Sequence, residues 1–217
     1  MSNTLKITII LFLILFSFSC GKKRQVKIEG RVYNPITQEG ISGAELWLLK
    51  SGSITEYYGG YERVTTVYTA ADGSFKVDLK SAKAEILRLG DMHGEYYKIG
   101  WYENGALLPS DLTVKKGKTM HADFYAVPYG EYRIKTNNIN CQGATDTIII
   151  NQTNQVNSFL GIDWVLEGCS GYTTAWDKIP MGTIHTKYTV IKGGVSNTYE
   201  EDFVVEPNQQ NEQVIDY

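Results

Sequence analysis

Residues able to do chemistry are sparse in this chain, and their spacing argues against catalysis. His93, His121 and His185 are the three histidines. None lies at the H-x-x-x-H spacing that sets two imidazoles on one helix face for a metal. His93-Gly94-Glu95 and His121-Ala122-Asp123 are local pairs of the sort that composition alone produces. Cys141 and Cys169 lack the C-x-x-C spacing of redox chemistry, and no Cys-His arrangement suggests an activated thiolate. No G-x-S-x-G elbow, phosphate-cradling glycine loop or dinucleotide fingerprint occurs. Glycoside hydrolysis needs two facing carboxylates, and the scattered acids nominate no pair. The expectation is a protein that is not an enzyme, with no catalytic residue, metal or cofactor. Lys and Arg number 21 against 24 Asp and Glu, without a basic stripe. That balance argues against nucleic acid as the main partner.

Aromatic residues carry the stronger functional signal. Tyr57, Tyr58, Tyr61 and Tyr68 crowd one segment; Tyr96, Tyr97, Trp101 and Tyr102 crowd another. Tyrosine and tryptophan offer rigid surface with a polar tip, suited to a protein or glycan face. The candidate binding surface is therefore Tyr57, Tyr58, Tyr61, Tyr96, Tyr97, Trp101 and Tyr102. Ordinary cross-strand packing is the competing reading, because aromatics also pair well on sheets.

The elements that must position these residues begin with an apolar run. Lys6 precedes ITIILFLILFSF, residues 7–18. A spanning helix needs roughly 20 apolar residues, so this run suits a secretory h-region. It ends in Ser17-Phe18-Ser19-Cys20, which resembles the lipobox of bacterial lipoproteins at Ser19 and Cys20. Phe18 and Ser17 depart from the commonest form and look like the looser boxes of Bacteroidota. The resemblance implies removal of residues 1–19, acylation of Cys20 and a lipid bilayer as a partner. Two or more acyl chains anchor a protein stably. Lys22, Lys23 and Arg24 would then lie beside the headgroups within a tether, residues 20–25. Bacteroidota lipoproteins bound for the cell surface tend to be acidic there. By that resemblance the periplasmic face of the outer membrane is favoured. An export signal also implies an oxidising compartment, in which Cys141 and Cys169 are expected as a disulfide. Two buried reduced thiols are the alternative.

What remains after residue 19 reads as strands. Val, Ile, Thr and 15 tyrosines are frequent, and no helical periodicity follows the signal. QVKIEGRVYN alternates Val26, Ile28 and Val32 against polar neighbours. A turn-rich stretch follows, then AELWLLK, with Leu46 and Leu48 on one face and Trp47 and Leu49 on the other. VTTVYTAADGSFKVDL reads as a hairpin about Asp72-Gly73. Gly30, Val32, Gly40, Ile41, Gly43, Ala44, Leu46, Thr69, Asp72, Gly73 and Phe75 together resemble the carboxypeptidase regulatory-like domain. The resemblance implies a seven-stranded transthyretin-like β-sandwich over residues 26–127, acting as spacer or binding module. Met120, Ala122, Phe124 and Ala126 alternate as its last strand, and Val127-Pro128-Tyr129-Gly130 breaks the pattern as a hinge.

Residues 128–217 read as a second β-sandwich, immunoglobulin- or fibronectin III-like by class. Strands are expected at 131–136, 145–151, 157–168, 183–191 and 198–207. The polar last ten residues, NQQNEQVIDY, are expected to fray. Asp146-Thr147-Ile148 resembles the short O-glycosylation sequon of Bacteroidota, making Thr147 a candidate acceptor. The fold class is all-β, two tandem β-sandwich domains. The expected function is a membrane-anchored, non-catalytic binding or scaffolding lipoprotein of the envelope, with a protein or glycan partner. A small-ligand carrier is the alternative, and an envelope hydrolase a more distant one.

Overall fold

The computed structural model describes residues 25–52, 60–80, 83–90, 92, 94–103, 105–108, 111–156 and 163–217. Every regular element among them is a β-strand, so the fold is all-β. Contacts group the chain into two compact units. One takes the described residues of 25–92 and 98–126, the other 94–97 and 127–217. Cys20, Tyr57, Tyr58 and His93 lie outside the described residues.

The first unit is a two-sheet sandwich. One sheet contains β1 (Val26–Tyr33), β4 (Ser74–Leu79), β6 (Tyr96–Glu103), β7 (Ala106–Leu108), β9 (Thr119–His121) and the start of β10 (Asp123–Asn137). The other runs β3 (Tyr61–Tyr68), β2 (Glu45–Ser51), β5 (Ile86–Leu89), β8 (Asp111–Thr113) in spatial order. The expected period-2 pattern holds on both: Val26, Ile28 and Val32 are buried from one sheet, Leu46, Leu48 and Leu87 from the other. Leu49 differs from expectation. Leu49 is as fully buried as Leu48, and the β2–β3 register shifts between them, Leu48 facing Thr65 and Leu49 facing Arg63, so the extra residue lies on β3.

Asp72-Gly73 does not close a hairpin. β3 pairs with β2 while β4 pairs with β1, so the turn carries the chain from one sheet to the other. Gly73 sits at φ 79, with its N–H donating to Ala70 O at 2.9 Å. Its neighbour in space is Gly40, where an added Cβ would collide with the Asp72 carbonyl. The local signal for a tight turn is right. The pairing it normally announces is overridden because the two strands' apolar faces are needed on opposite sheets.

The chain also stays extended where a break is expected. β10 runs through Pro128 and Gly130. Pro128 lacks an N–H, yet its carbonyl still accepts from Met181 N at 2.9 Å. Gly130 permits a close approach: a Cβ there would meet Glu206 O.

In the second unit β10 is flanked on one side by β13 (Tyr172–Thr173) and β14 (Asp177–Pro180), both antiparallel. On its other side lies β17 (Gln210–Asp216), parallel, in register from Glu131↔Gln210 to Asn137↔Asp216. The second sheet has the order β12 (Trp164–Glu167), β11 (Thr147–Asn154), β15 (Gly182–Lys192), β16 (Val195–Val205). Ile134, Ile148, Ile150, Ile184, Val205 and Ile215 form the core between them. The disulfide joins Cys141 to Cys169, with Cα atoms 5.3 Å apart. Closing that 28-residue separation contributes roughly 3–4 kcal/mol in the loop-entropy account.

The C-terminal residues therefore do not fray. Asn211, Gln213, Ile215 and Tyr217 alternate inward and are buried. Composition misleads here because two of the four are amides, which suit an interior only when their hydrogen bonds are met. They are met: Gln213 Oε1 accepts from Tyr132 OH at 2.7 Å, and Gln213 Nε2 donates to Glu201 Oε1 at 2.7 Å. Gln152 Nε2 donates to Tyr132 OH at 2.7 Å and to Thr186 Oγ1 at 2.9 Å. The Asn211 amide is bonded to Glu131 O, Glu206 O and Gln209 O.

Burial pushes the Tyr132 hydroxyl up to about 12, whereas an unfolded tyrosine ionises near 10. The folded state then keeps a proton that the unfolded state releases, so this contribution to stability is intact below about pH 10 and falls as pH rises towards 12. Chemical denaturation across that window should show the decline, and Tyr132→Phe should remove ~2–3 kcal/mol of it.

Candidate functional site

Of the sequence-predicted aromatic surface, Tyr57 and Tyr58 lie outside the described residues, and Trp101 is not at a surface. Trp101 is 0% exposed. Its indole lies edge-on to Phe124, centroids 5.0 Å apart, and to Phe75 at 6.1 Å. Trp101 is therefore core and no part of a binding surface. The buried positions of β6 are the consecutive Gly100 and Trp101, a departure from strict alternation that the sequence does not announce.

Within the first unit Tyr61 and Tyr102 lie on different sheets. Tyr61 is half-buried on β3 under the Arg88 guanidinium, 5.4 Å from its ring centroid. Arg88 is in turn held by Asp111 through two 2.7 Å hydrogen bonds. Tyr68, at the far end of β3, is 63% exposed. Tyr96 and Tyr97 belong to the second unit, where Tyr97 meets Tyr129 edge-on at 6.2 Å. Tyr102 stays in the first unit and stacks on Tyr125, centroids 5.3 Å apart and planes 15° apart.

Tyr102 belongs to a row that the sequence does not announce. Tyr125 contacts Tyr33 at 5.0 Å, their hydroxyls 3.2 Å apart, and Arg31 sits 5.1 Å above the Tyr33 ring. β1 and β10 pair at Tyr33↔Tyr125, so the row is a cross-strand ladder on the side opposite buried Val32 and Phe124. Burial and the Tyr33 hydroxyl push the Tyr125 hydroxyl up to about 12.

A second stacked pair lies on the β15–β16 hairpin. Tyr188 and Tyr199 face each other in register with ring centroids 5.3 Å apart and planes 24° apart. Gly193-Gly194, both at positive φ, form the turn. A Gly-Gly pair between alternating strands signals a two-residue hairpin. Extending its register back by five residues would have placed the two tyrosines together.

Close to that turn sits a buried carboxylate. Asp146 Oδ2 accepts from Gln142 N at 2.8 Å and from Asn138 Nδ2 at 3.0 Å. The Gln142 N–H, followed by Asn138, holds its carboxyl below the usual range. Lys192 Nζ donates to Asn138 Oδ1 at 2.7 Å. Asp146 therefore anchors the loop that bears Cys141. Thr147, the next residue, begins β11 half-buried and donates through Oγ1 to Thr145 O at 3.2 Å.

The described histidines form surface pairs. His121 Nδ1 lies 3.1 Å from Glu29, and His185 Nδ1 lies 2.8 Å from Asp202. Among the described residues no cluster of three His, Cys, Asp or Glu side chains could hold a metal ion. Among the described residues no helix is long and apolar enough to cross a membrane.

No family model matches the chain. No curated protein matches it either. Solved structures similar to it include a leucine-rich repeat protein from Bacteroides thetaiotaomicron, at 15% identity over 89% of this chain and 26% of that one, TM-score 0.26. The Bacillus anthracis TIE protein is similar at 14% identity over 89% and 34%, TM-score 0.35. The chain thus spans about a quarter to a third of the length of these two. A DUF3823 family protein from Parabacteroides merdae is similar at 11% identity over 84% and 99%, TM-score 0.30. With TM-scores this low, none of them carries an argument about function.

Trp101→Ala is expected to destabilise its unit by about 3–5 kcal/mol, as removal of a buried aromatic does. Tyr102→Ala should cost only about 0.5–1.5 kcal/mol, the worth of its stacking. Denaturant midpoints of the two variants measure the difference.

Proposed function

We propose that this protein is a lipid-anchored, non-catalytic binding or scaffolding lipoprotein of the bacterial envelope. The observation that carries the reading is the abrupt end of the apolar run 7–18 at Ser19-Cys20. A thiol placed directly after a small residue and an h-region is what lipoprotein processing requires, and acylation of Cys20 would hold the following units at a bilayer. Lys22, Lys23 and Arg24 stand where surface-bound Bacteroidota lipoproteins tend to be acidic, and by that resemblance the periplasmic face of the outer membrane is favoured; beside anionic headgroups each cation is worth on the order of 1 kcal/mol.

The non-catalytic role is supported by how the described side chains are used. Its ionisable groups are spent on cross-strand pairs such as Arg88–Asp111 and Lys187–Glu200 and on the loop clamp at Asp146. Some strands also present aromatic residues outward, among them Tyr68, Tyr102 and Tyr199, and such side chains suit a protein or glycan. The first unit is read as a carboxypeptidase regulatory-like spacer or binding module. Gly40, Ile41, Ala44, Thr69 and Gly73, on which that resemblance rests, make a single knot. Thr69 Oγ1 donates to Ile41 O at 2.6 Å and accepts from Ala44 N at 2.8 Å, and Ile41 N donates to Val32 O at 2.8 Å.

Detergent-phase partitioning of the natively expressed protein tests the anchor. The wild-type chain should enter the detergent phase with residue 20 as its first, and Cys20→Ala should move it to the aqueous phase. A wild-type protein found in the aqueous phase would overturn the reading. The intact mass of the same material reports Thr147: added hexoses absent from Thr147→Ala mark it as an acceptor, and an unmodified mass dismisses it.

A further inference from the structure

Among the described residues, the inner face of the second unit is open at the tip of the β15–β16 hairpin. On β15 the residues that point between the sheets are Ile184, Thr186, Tyr188, Val190 and Lys192. Their partners on β16 are Phe203, Glu201, Tyr199, Asn197 and Val195. Towards the base of the hairpin these positions are covered, and Ile184 and Thr186 are fully buried. Towards the tip the cover ends on the outer strand: Tyr199 is 48% exposed and Val195 62%, although both continue the core-facing alternation. A core-facing aromatic and a core-facing valine are thereby left in contact with water.

They line a cleft of about 550 Å³, bounded across from the hairpin by Asp216, Tyr217, Asn140 and Gln142. This lies within the size range of small-ligand sites. Its floor is the stacked Tyr188–Tyr199 pair. Its charges are already engaged. Lys192 Nζ donates to Asn138 Oδ1 at 2.7 Å and to Asn140 O at 3.2 Å, and sits 5.1 Å over the Tyr217 ring. Asp216 Oδ1 accepts from Asn137 Nδ2 at 2.7 Å. The side chains offered to a ligand include the Tyr199 face, the amides of Asn197, Gln142 and Asn140, and the Tyr217 hydroxyl, which is buried without a hydrogen-bond partner among the described residues.

That lining selects a chemistry. An amide offers donors and an acceptor together, which matches a hydroxyl that both donates and accepts. An aromatic face takes up apolar C–H surface. A wholly apolar ligand would leave the amides unpaired, at a cost of about 1–3 kcal/mol each. A polyanion would find the one cation held by Asn138 and a carboxylate opposite. We propose that this cleft binds a short neutral oligosaccharide, one sugar ring lying on Tyr199 and its hydroxyls meeting Asn197 and Gln142. The proposal rests on the binding-module reading and gives it a site and a ligand class.

The full-length protein in detergent can be screened on an array of maltose-, cellulose-, mannan- and chitin-derived oligosaccharides. The best of these would then be titrated calorimetrically. Tyr199→Ala should weaken binding at least about tenfold, the loss expected for a central anchoring side chain, with little change in Tm. Asn197→Ala should weaken it as well. Tyr68→Ala, an exposed tyrosine of the first unit, should leave the affinity unchanged. Absence of binding to every sugar on the array overturns the proposal, as does binding that survives both Tyr199→Ala and Asn197→Ala. So does a cleft that captures only a polypeptide strand along β16. Detergent partitioning separates the two readings. Anchorage without sugar binding overturns this site alone, and sugar binding without anchorage at Cys20 overturns the envelope reading alone.

Discussion

The second unit depends on one buried side chain meeting its hydrogen bonds. Gln213 carries both a donor and an acceptor into a core otherwise made of isoleucine, valine and aromatic rings. Left unpaired there, an amide would cost more than its burial returns. Tyr132 on β10, Thr186 on β15 and Glu201 on β16 each take one of its bonds, so a single residue of β17 ties strands of both sheets. The network also fixes register. Sliding β17 by one residue would point Gln213 to solvent and bring charged Glu212 inward. Specificity bought this way differs from that of the isoleucines, which tolerate small shifts that a hydrogen-bonded amide does not.

The first unit solves the corresponding problem with backbone rather than side-chain chemistry. Its two sheets exchange the chain at the Gly40–Gly73 contact, where carbonyls of neighbouring segments come too near for any Cβ. Thr69 then secures the segment that leads out of β3 by bonding to two backbone groups at once. Trp101, Phe75 and Phe124 fill the space behind with edge-to-face contacts. One unit is thus pinned at a turn and the other across its middle.

Much of this was legible in the residues. Alternation at Val26, Ile28 and Val32, at Met120, Ala122 and Phe124, and at Ile148 and Ile150 gave the strands and their inward faces. What escaped had physical reasons. The Asp72-Gly73 turn reports local φ, and φ says nothing about which sheet the next strand will join. The bulge at Leu48-Leu49 depends on the partner strand. β17 looked like a polar tail because inward amides are invisible to a hydrophobic pattern. Trp101 looked like surface for the converse reason, an aromatic in polar company. The Tyr33–Tyr125–Tyr102 row and the Tyr188–Tyr199 pair each join residues distant in sequence. Only the second had a local cue, in the Gly193-Gly194 turn.

Parallel pairing of β10 with β17 has a kinetic consequence. Glu131 and Gln210 are neighbours in space but 79 residues apart in the chain. Contacts of such range pay their loop entropy before they return anything, which slows folding. A chain that emerges with its N-terminus first can assemble the β11–β15–β16 meander while β10 still lacks its partner. Until Gln213 arrives, Tyr132 and Thr186 face an open seam. Closure of this unit is therefore timed by the arrival of β17, and the interval before it is when the unpaired edge of β10 is most open to other strands.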